Sequence, residues 1–359
     1  MNHRQIINKI PPPIRKLFHP IRKQFQLQRF MVRGQFKTMW GGGTFRQNYK
    51  SAIERYNAGK TSYSLFKDMV ACYLEYGATP QEYFAFGFDK STNDRRSTFL
   101  TNMHKDQAVI KVIGMSNRQK YLEDKFNFYQ LLHHFFYRDV CRLSCEQDES
   151  DFERFCSLHN RFIAKPLNGQ CGNGVKIVET QPDVHSLFTK LLSEGPYIVE
   201  ELIVQSKTMS LWNESSVNTV RLPAFLNSSG FHILKPFFRM GRRGSIVDNG
   251  AQGGVFAVID ERSGKLVSDG YDESGNCYIY HPDSHLQIKD FQLPEWDSLL
   301  MIAEKCARLM PKPVARYIGC DFAHTANGWV LLEGNWGQFL SEFVDQEGIK
   351  EIFDKYMNE

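Results

Sequence analysis

Residues 317–335, Tyr-Ile-Gly-Cys-Asp-Phe-Ala-His-Thr-Ala-Asn-Gly-Trp-Val-Leu-Leu-Glu-Gly-Asn, constrain this chain more than any other stretch. Two short apolar runs flank Ala326-Asn327-Gly328 and read as a β-hairpin. Each run nevertheless carries carboxylate or amide groups where a buried strand should carry none. Loop length decides what those groups do together. A two-residue Asn-Gly turn would pair Ala326 with Trp329, set Asp321 opposite Gly334 and send Glu333 to the other face. A three-residue loop with Gly328 at the left-handed position pairs Thr325 with Trp329. In that register, the one we expect, Asp321 lies opposite Glu333, with Asn335 on the same face. Three oxygen ligands on one face suit Mg²⁺, which takes a few protein oxygens and leaves the rest of its shell to water and phosphate. The competing reading of the same residues is a hairpin end with solvated acids.

The 359 residues are enough for a large core and for two or three subdomains. There is no apolar run of the length a membrane span needs. Cys141 and Cys145 lie four apart, with no matching Cys/His pair nearby, so a zinc site is not expected. The scattered thiols, without a secretory signal, point to a reducing cytoplasm.

Charge is distributed unevenly. Residues 1–50 carry eleven Lys/Arg and no Asp or Glu, so the remainder is net acidic. Residues 11–33 open with Pro-Pro-Pro and continue with Ile14, Leu17, Phe18, Ile21, Phe25, Phe30 and Met31 at roughly helical spacing, interleaved with cations. Residues 1–33 are therefore a candidate for peripheral contact with an anionic membrane, at the inner membrane face, each cation adding about 1 kcal/mol. A docked or mobile arm is the alternative. No nucleic acid partner is expected, because no recognised reader motif follows. An acid-free, Arg-rich start also resembles a transit peptide, although serine is scarce.

Residues 48–110 read as mostly helical, with a turn at Tyr76-Gly77-Ala78-Thr79-Pro80. Residues 121–138 form a helix-like run opened by acids, and Lys125 follows Asp124 at its start. His133 and His134 are adjacent and make a poor metal pair on a helix. Phe162-Ile163-Ala164 leads into a loop with Gly169, Gly172 and Gly174, after which Val175, Ile177 and Val178 resume an extended pattern. Glycine lets backbone N–H groups approach phosphate oxygens closely. The loop lacks the Gly-Lys-Ser/Thr ending of a P-loop and the following helix of a dinucleotide fingerprint. It reads as a hairpin flap, with Lys165 entering from its base. Tyr197–Gln205 is an apolar strand interrupted by Glu200 and Glu201. Between residues 215 and 256 polar groups crowd strand-like runs. Asn218 and Val220 share one face, Thr219 and Arg221 the other. Lys235 and Arg239 follow, and then Val247-Asp248-Asn249. Repeated cations ahead of an acidic hairpin fit a site that neutralises phosphate or carboxylate charge.

In order, these segments resemble the ATP-grasp superfamily, most closely its sugar-transfer-associated branch, from about Tyr121 to Phe343. The resemblance rests on Asp124-Lys125, Ile163-Ala164-Lys165-Pro166 with its glycine loop, and Val199-Glu200-Glu201-Leu202-Ile203. It continues through Ser216–Arg221, Arg239-Met240-Gly241, Val247-Asp248-Asn249 with Gly253-Gly254, and His281-Pro282. It closes on Gly319-Cys320-Asp321 and Glu333-Gly334-Asn335. Cys320 departs from that branch, which tends to have Trp before the aspartate.

The resemblance implies an α+β fold of the ATP-grasp type, two α+β subdomains clasping nucleotide, with an N-terminal mostly helical region. We place a basic amphipathic arm at 1–47, a helical cap at 48–120, and the nucleotide domain at 121–345, with subdomains at about 150–205 and 206–345. A C-terminal helix is placed at 346–359. Carried over residue by residue, the resemblance implies that Lys125 and Lys165 touch ATP phosphates under the 169–174 flap. Glu200 or Glu201 would lie near the adenine amine, and Ile203 would offer backbone groups. Asp321, Glu333 and Asn335 would hold Mg²⁺. Arg221 and Arg239 would meet the transferring phosphoryl group, with Lys235 completing the candidate catalytic set. The implied activity is an ATP- and Mg²⁺-dependent ligase that activates a carboxylate as an acyl phosphate for attack by an amine. The branch's setting suggests sugar or cell-surface polysaccharide biosynthesis, with small-molecule or sugar-linked substrates. The alternatives are a phosphotransferase acting on a hydroxyl and a non-catalytic nucleotide-binding protein.

Overall fold

The computed structural model describes residues 45–56, 62–168, 172–336 and 341–359. Residues 1–44 of the basic arm, with its membrane-surface reading, and Gly169 in the flap lie outside the described residues, while 45–47 already belong to the first described helix. Backbone contacts divide the chain into two units, 1–106 and 107–359.

In the first unit the local signals at 76–80 act as expected. Helix α1 (Phe45–Arg55) and helix α2 (Tyr63–Tyr76) precede a stop at Gly77, whose φ of 75° suits glycine. Thr79 then caps α3 (Pro80–Ala85) in a reciprocal box with Glu82, and Pro80 sits where a missing N–H does no harm. Phe45, Tyr49, Tyr83, Phe86, Phe88 and Phe99 pack into one aromatic cluster. Arg96 bridges to Asp68 beside it at 2.7 Å.

The second unit holds two antiparallel sheets. In the first, β1 (Val140–Leu143), β2 (Arg161–Pro166), β3 (Lys176–Glu179) and β4 (Tyr197–Glu201) run in the order β1-β4-β2-β3. Strand alternation sorts their side chains. Phe162, Ala164, Tyr197 and Val199 face a core completed by Phe152 and Phe155 of α5 (Glu149–Leu158) and by Leu187, Phe188 and Leu191 of α6 (Val184–Glu194). Burying each such side chain contributes about 1.5–3 kcal/mol. The opposite face carries Ile163, Lys165, Ile198 and Glu200. This sheet opens at Val140, ahead of the expected boundary near residue 150, because β1 pairs along β4 from Val140↔Glu200 to Leu143↔Tyr197.

The second sheet has eight strands. Its path is β10-β9-β8-β7-β5-β11-β12, with β6 (Gly230–Ile233) added to β5. The central strands are β5 (Thr219–Asn227), β7 (Phe237–Met240), β8 (Val255–Val258) and β11 (Ile318–Thr325), and β12 (Gly328–Asn335) lies at one end. The short strands β9 (Gly270–Tyr271) and β10 (Cys277–Tyr278) close the other. One face presents Val220, Leu222, Cys320 and Phe322, all buried, towards helix α7 (Trp296–Leu309). On the other face a single cross-strand row runs Phe237, Arg221, Asp321, Glu333. Helices α8 (Ser341–Asp345) and α9 (Lys350–Asn358) end the chain. Among the described residues no helix is long and apolar enough to cross a membrane.

The hairpin corrects our loop expectation. Ala326 and Asn327 form a two-residue turn, and Gly328, at φ 100°, pairs with Thr325 rather than closing a three-residue loop. Unbroken, that register would set Leu332 opposite Asp321. Instead the pairing jumps from Phe322↔Leu331 to Asp321↔Glu333, leaving Leu332 as the extra residue of a β-bulge. Asp321 and Glu333 therefore face each other, by a different route from the one expected.

Candidate functional site

Asp321 is fully buried and has the densest set of partners of any acid at this site. Arg221, directly opposite on β5, grips both carboxylate oxygens. Its Nε bonds Oδ1, and its Nη2 donates to Oδ2 at 2.7 Å. Arg239 on β7 donates to the same Oδ2 at 2.8 Å and to the Thr219 hydroxyl at 2.7 and 2.9 Å. Thr219 in turn hydrogen-bonds the Asp248 carboxylate, which stands 3.4 Å from Arg239. Burial alone would raise the Asp321 pKa. The two guanidinium groups outweigh it and hold the carboxyl below its ordinary range. Asp248, with less compensation, is pushed up by burial.

Asn335 joins the acids. Its amide nitrogen lies 3.2 Å from Asp321 Oδ2 and 3.3 Å from Glu333 Oε1. A half-turn of that amide exchanges donor for acceptor oxygen, which would bring a third oxygen beside the two carboxylates. This donor chemistry suits Mg²⁺, provided that an arginine yields on Asp321. Gly334, between Glu333 and Asn335, serves packing. A Cβ there would overlap the ring of Phe128, which belongs to helix α4 (Lys125–Leu132).

The same helix brings in Lys125. Asp124 caps α4 by accepting from the N–H groups of Phe126 and Asn127, which makes Lys125 its first residue. Burial lowers the Lys125 pKa against the pull of Glu333 and Glu200, with Lys165 adding to the lowering. On the first sheet, Lys165 reaches Glu200 at 2.8 Å. Arg138 closes on the other carboxylate oxygen at 2.6 and 2.8 Å. Burial pushes the Glu200 pKa up, and Arg138 and Lys165 more than reverse that. A pocket between the sheets is lined by Leu122, Phe128, Phe136, Ile198 and Leu332, with Lys125, Glu200 and Glu333 at its polar side.

Other expected site residues fall differently. Both Glu200 oxygens are already held by cations, so it anchors Lys165 rather than standing open towards an adenine amine. Glu201 accepts from the Asp139 N–H at 3.2 Å, and Ile203 lies just beyond the end of β4. Lys235 is not brought to Asp321. Its ammonium pairs with Asp345 of α8 at 2.8 Å. The flap exists as hairpin β2–β3, with Gly172 and Gly174 at φ 69° and 74°. Gly172 lies against Val247, close to Asp248. Sequence reasoning quoted Asp248 without assigning it, and its polar surroundings at 247–254 were the available signal. Arg138 carried none, because its partners lie 62 and 193 residues away in the chain.

A search of the curated proteins finds no match. Solved structures with a similar path include ATP-grasp ligase PsnB with its minimal precursor (14% identity, 66% of this chain and 61% of that one, TM-score 0.39). D-alanine–D-alanine ligase from Bacillus anthracis is similar to the same degree (14%, 66% and 66%, 0.39), as is D-cycloserine synthetase DcsG (13%, 68% and 72%, 0.41). The chain thus spans less than two thirds of the length of the first of these, and likeness at these scores carries no argument about chemistry. The sequence model of the sugar-transfer-associated ATP-grasp family, by contrast, matches residues 107–356, both sheets included, and the chain belongs to that family.

Proposed function

We propose that the protein is an ATP-dependent ligase that phosphorylates a carboxylate and passes the acyl phosphate to an amine. The observation that carries this reading is the row Arg221–Asp321–Glu333, with Asn335 beside it, Lys125 lining the adjoining pocket and Lys165 paired with Glu200 of that pocket. A carboxylate is a poor acyl donor, and phosphorylation gives it a leaving group. The demand on the protein is therefore to position two anions and neutralise them. The apolar side chains Phe128, Phe136, Ile198 and Leu332 flank the charged groups of the pocket. Lys125, desolvated and less firmly protonated than an exposed lysine, gains a favourable partner when a phosphate enters. Lys165 is held ready by Glu200. Mg²⁺ on Asp321, Glu333 and Asn335 would screen the triphosphate charge. Arg221 and Arg239, released in part from Asp321, would meet the transferring phosphoryl group. Lys235 holds α8 through Asp345 and takes no part in this step.

The substrate reading, a sugar-linked or cell-surface polysaccharide precursor, rests on the family's description. The test is phosphate release from ATP across acid and amine panels. Release only when both are present supports the ligase, whereas phosphate retained on one product makes the protein a phosphotransferase and overturns the proposal. Glu333→Gln should abolish Mg²⁺-dependent turnover with the melting temperature nearly unchanged, and unchanged turnover would remove the metal assignment.

A further inference from the structure

Arg138 is buried, with 3% of its side chain exposed, and it spends every nitrogen on a specific acceptor. Nε and Nη2 donate to Glu200 Oε2 on the first sheet. Nη1 donates to the Phe136 carbonyl at 3.1 Å and to the Leu331 carbonyl at 2.7 Å, and Nη2 also reaches the Leu332 carbonyl at 3.3 Å. The last two carbonyls belong to the bulge on β12, the end strand of the second sheet. A bulge disrupts its ladder, and an end strand has no neighbour to repair it. Buried backbone groups there need another partner, and Arg138 supplies it. The guanidinium also stacks on the Phe136 ring, 4.5 Å from its centroid.

The chain accepts strain to aim this side chain. Tyr137 sits at φ 47°, a region disfavoured for a bulky residue, and it gains little packing in return because 71% of it is exposed. Strain held without a local packing reason marks a position whose geometry is used elsewhere. The turn at Tyr137 sends its own side chain to solvent and Arg138 into the gap between the sheets.

We infer that Arg138 is a positioning residue that clamps the Leu332 bulge to β4, keeping Glu333 in line with Asp321 and Leu332 in the pocket wall. The inference rests on the metal reading above and extends it, since the clamp ties the nucleotide face of one sheet to the ligand row of the other. Lysine at this position would keep the charge facing Glu200 but would lack the fork needed to reach both carbonyls.

The test is ADP binding to the full chain by calorimetry over a Mg²⁺ titration, together with amide exchange across residues 330–335, on wild type, Arg138→Lys, Glu200→Gln and Glu333→Gln. For Arg138→Lys the Mg²⁺ concentration giving half the full enhancement of ADP affinity should rise about tenfold. Metal-free ADP affinity should change less than twofold, and the amides of 331–334 should exchange faster. Glu200→Gln leaves the carbonyl bonds in place and should weaken metal-free ADP binding without shifting the Mg²⁺ midpoint. A purely structural arginine would lower the melting temperature of Arg138→Lys with the Mg²⁺ midpoint unmoved, and that result overturns the inference. Wild-type exchange at 331–334 in Arg138→Lys overturns it too. If Glu333→Gln leaves the Mg²⁺ midpoint unchanged, the metal reading fails by itself, and faster exchange in Arg138→Lys still establishes the clamp on the bulge.

Discussion

Asp321 and Glu333 face each other, yet a substitution at each should have a different consequence. Asp321→Asn leaves Arg221 and Arg239 buried beside a neutral amide, and removing one partner from such a cluster costs about 3–5 kcal/mol. Glu333 makes a bond only to Asn335 among those described here, so Glu333→Gln should change stability by no more than about 1 kcal/mol. Denaturant melts of the two variants check the contrast. The acid limb of stability follows from the same residues. Asp321 and Glu200 bind protons less tightly in the folded chain than in the unfolded one. Their contribution is therefore complete above the ordinary carboxylate range, about pH 4, and is lost as pH falls through their lower folded values. Asp248 has the opposite sign, since burial raises its folded pKa, and it offsets part of that loss. Burial also holds His281 and His324 below the ordinary imidazole range, so thermal melts should begin to fall below about pH 6.5 and fall further through the carboxylate range.

At the scale of elements, helix α4 and strand β12 are fitted to each other through one missing methyl group. Gly334→Ala would drive a Cβ into Phe128 and should destabilise by about 1–3 kcal/mol. Phe128→Leu in the same chain should recover part of that, so the pair would depart from additivity in a double-mutant cycle. The elements themselves were readable in sequence wherever the signal is local. Asp124 caps α4, Thr79 and Glu82 box α3, and alternation in Phe162–Lys165 and Thr219–Leu222 divides core from site. The hairpin was readable as a hairpin but not in its register. Its turn falls one position before Asn-Gly, and the bulge that restores the pairing is stabilised by Arg138, far away in sequence. A local reading has no access to that contact.

For the whole chain, the composition shift is the feature legible without structure. Eleven cations and no acid in the first fifty residues precede a net acidic remainder. Deleting residues 1–33 should reduce cosedimentation with anionic liposomes, and binding by the full chain should weaken as salt shortens the screening length. Equal sedimentation of both chains would discard the membrane reading. What sequence could not supply is the way the two sheets are joined, because Arg138 bridges Glu200 on the first sheet and the Leu331 and Leu332 carbonyls on the second, contacts that form only once both sheets exist. The bulge makes this dependence one of parity. Removing Leu332 would shorten β12 by one residue and let an uninterrupted ladder set Glu333 opposite Asp321 unaided. The acid pair would survive that single-codon loss, while the pocket would lose a wall and Arg138 the carbonyl beneath it. The extra residue is thus dispensable for folding the hairpin, and its use lies in letting one sheet take hold of the other.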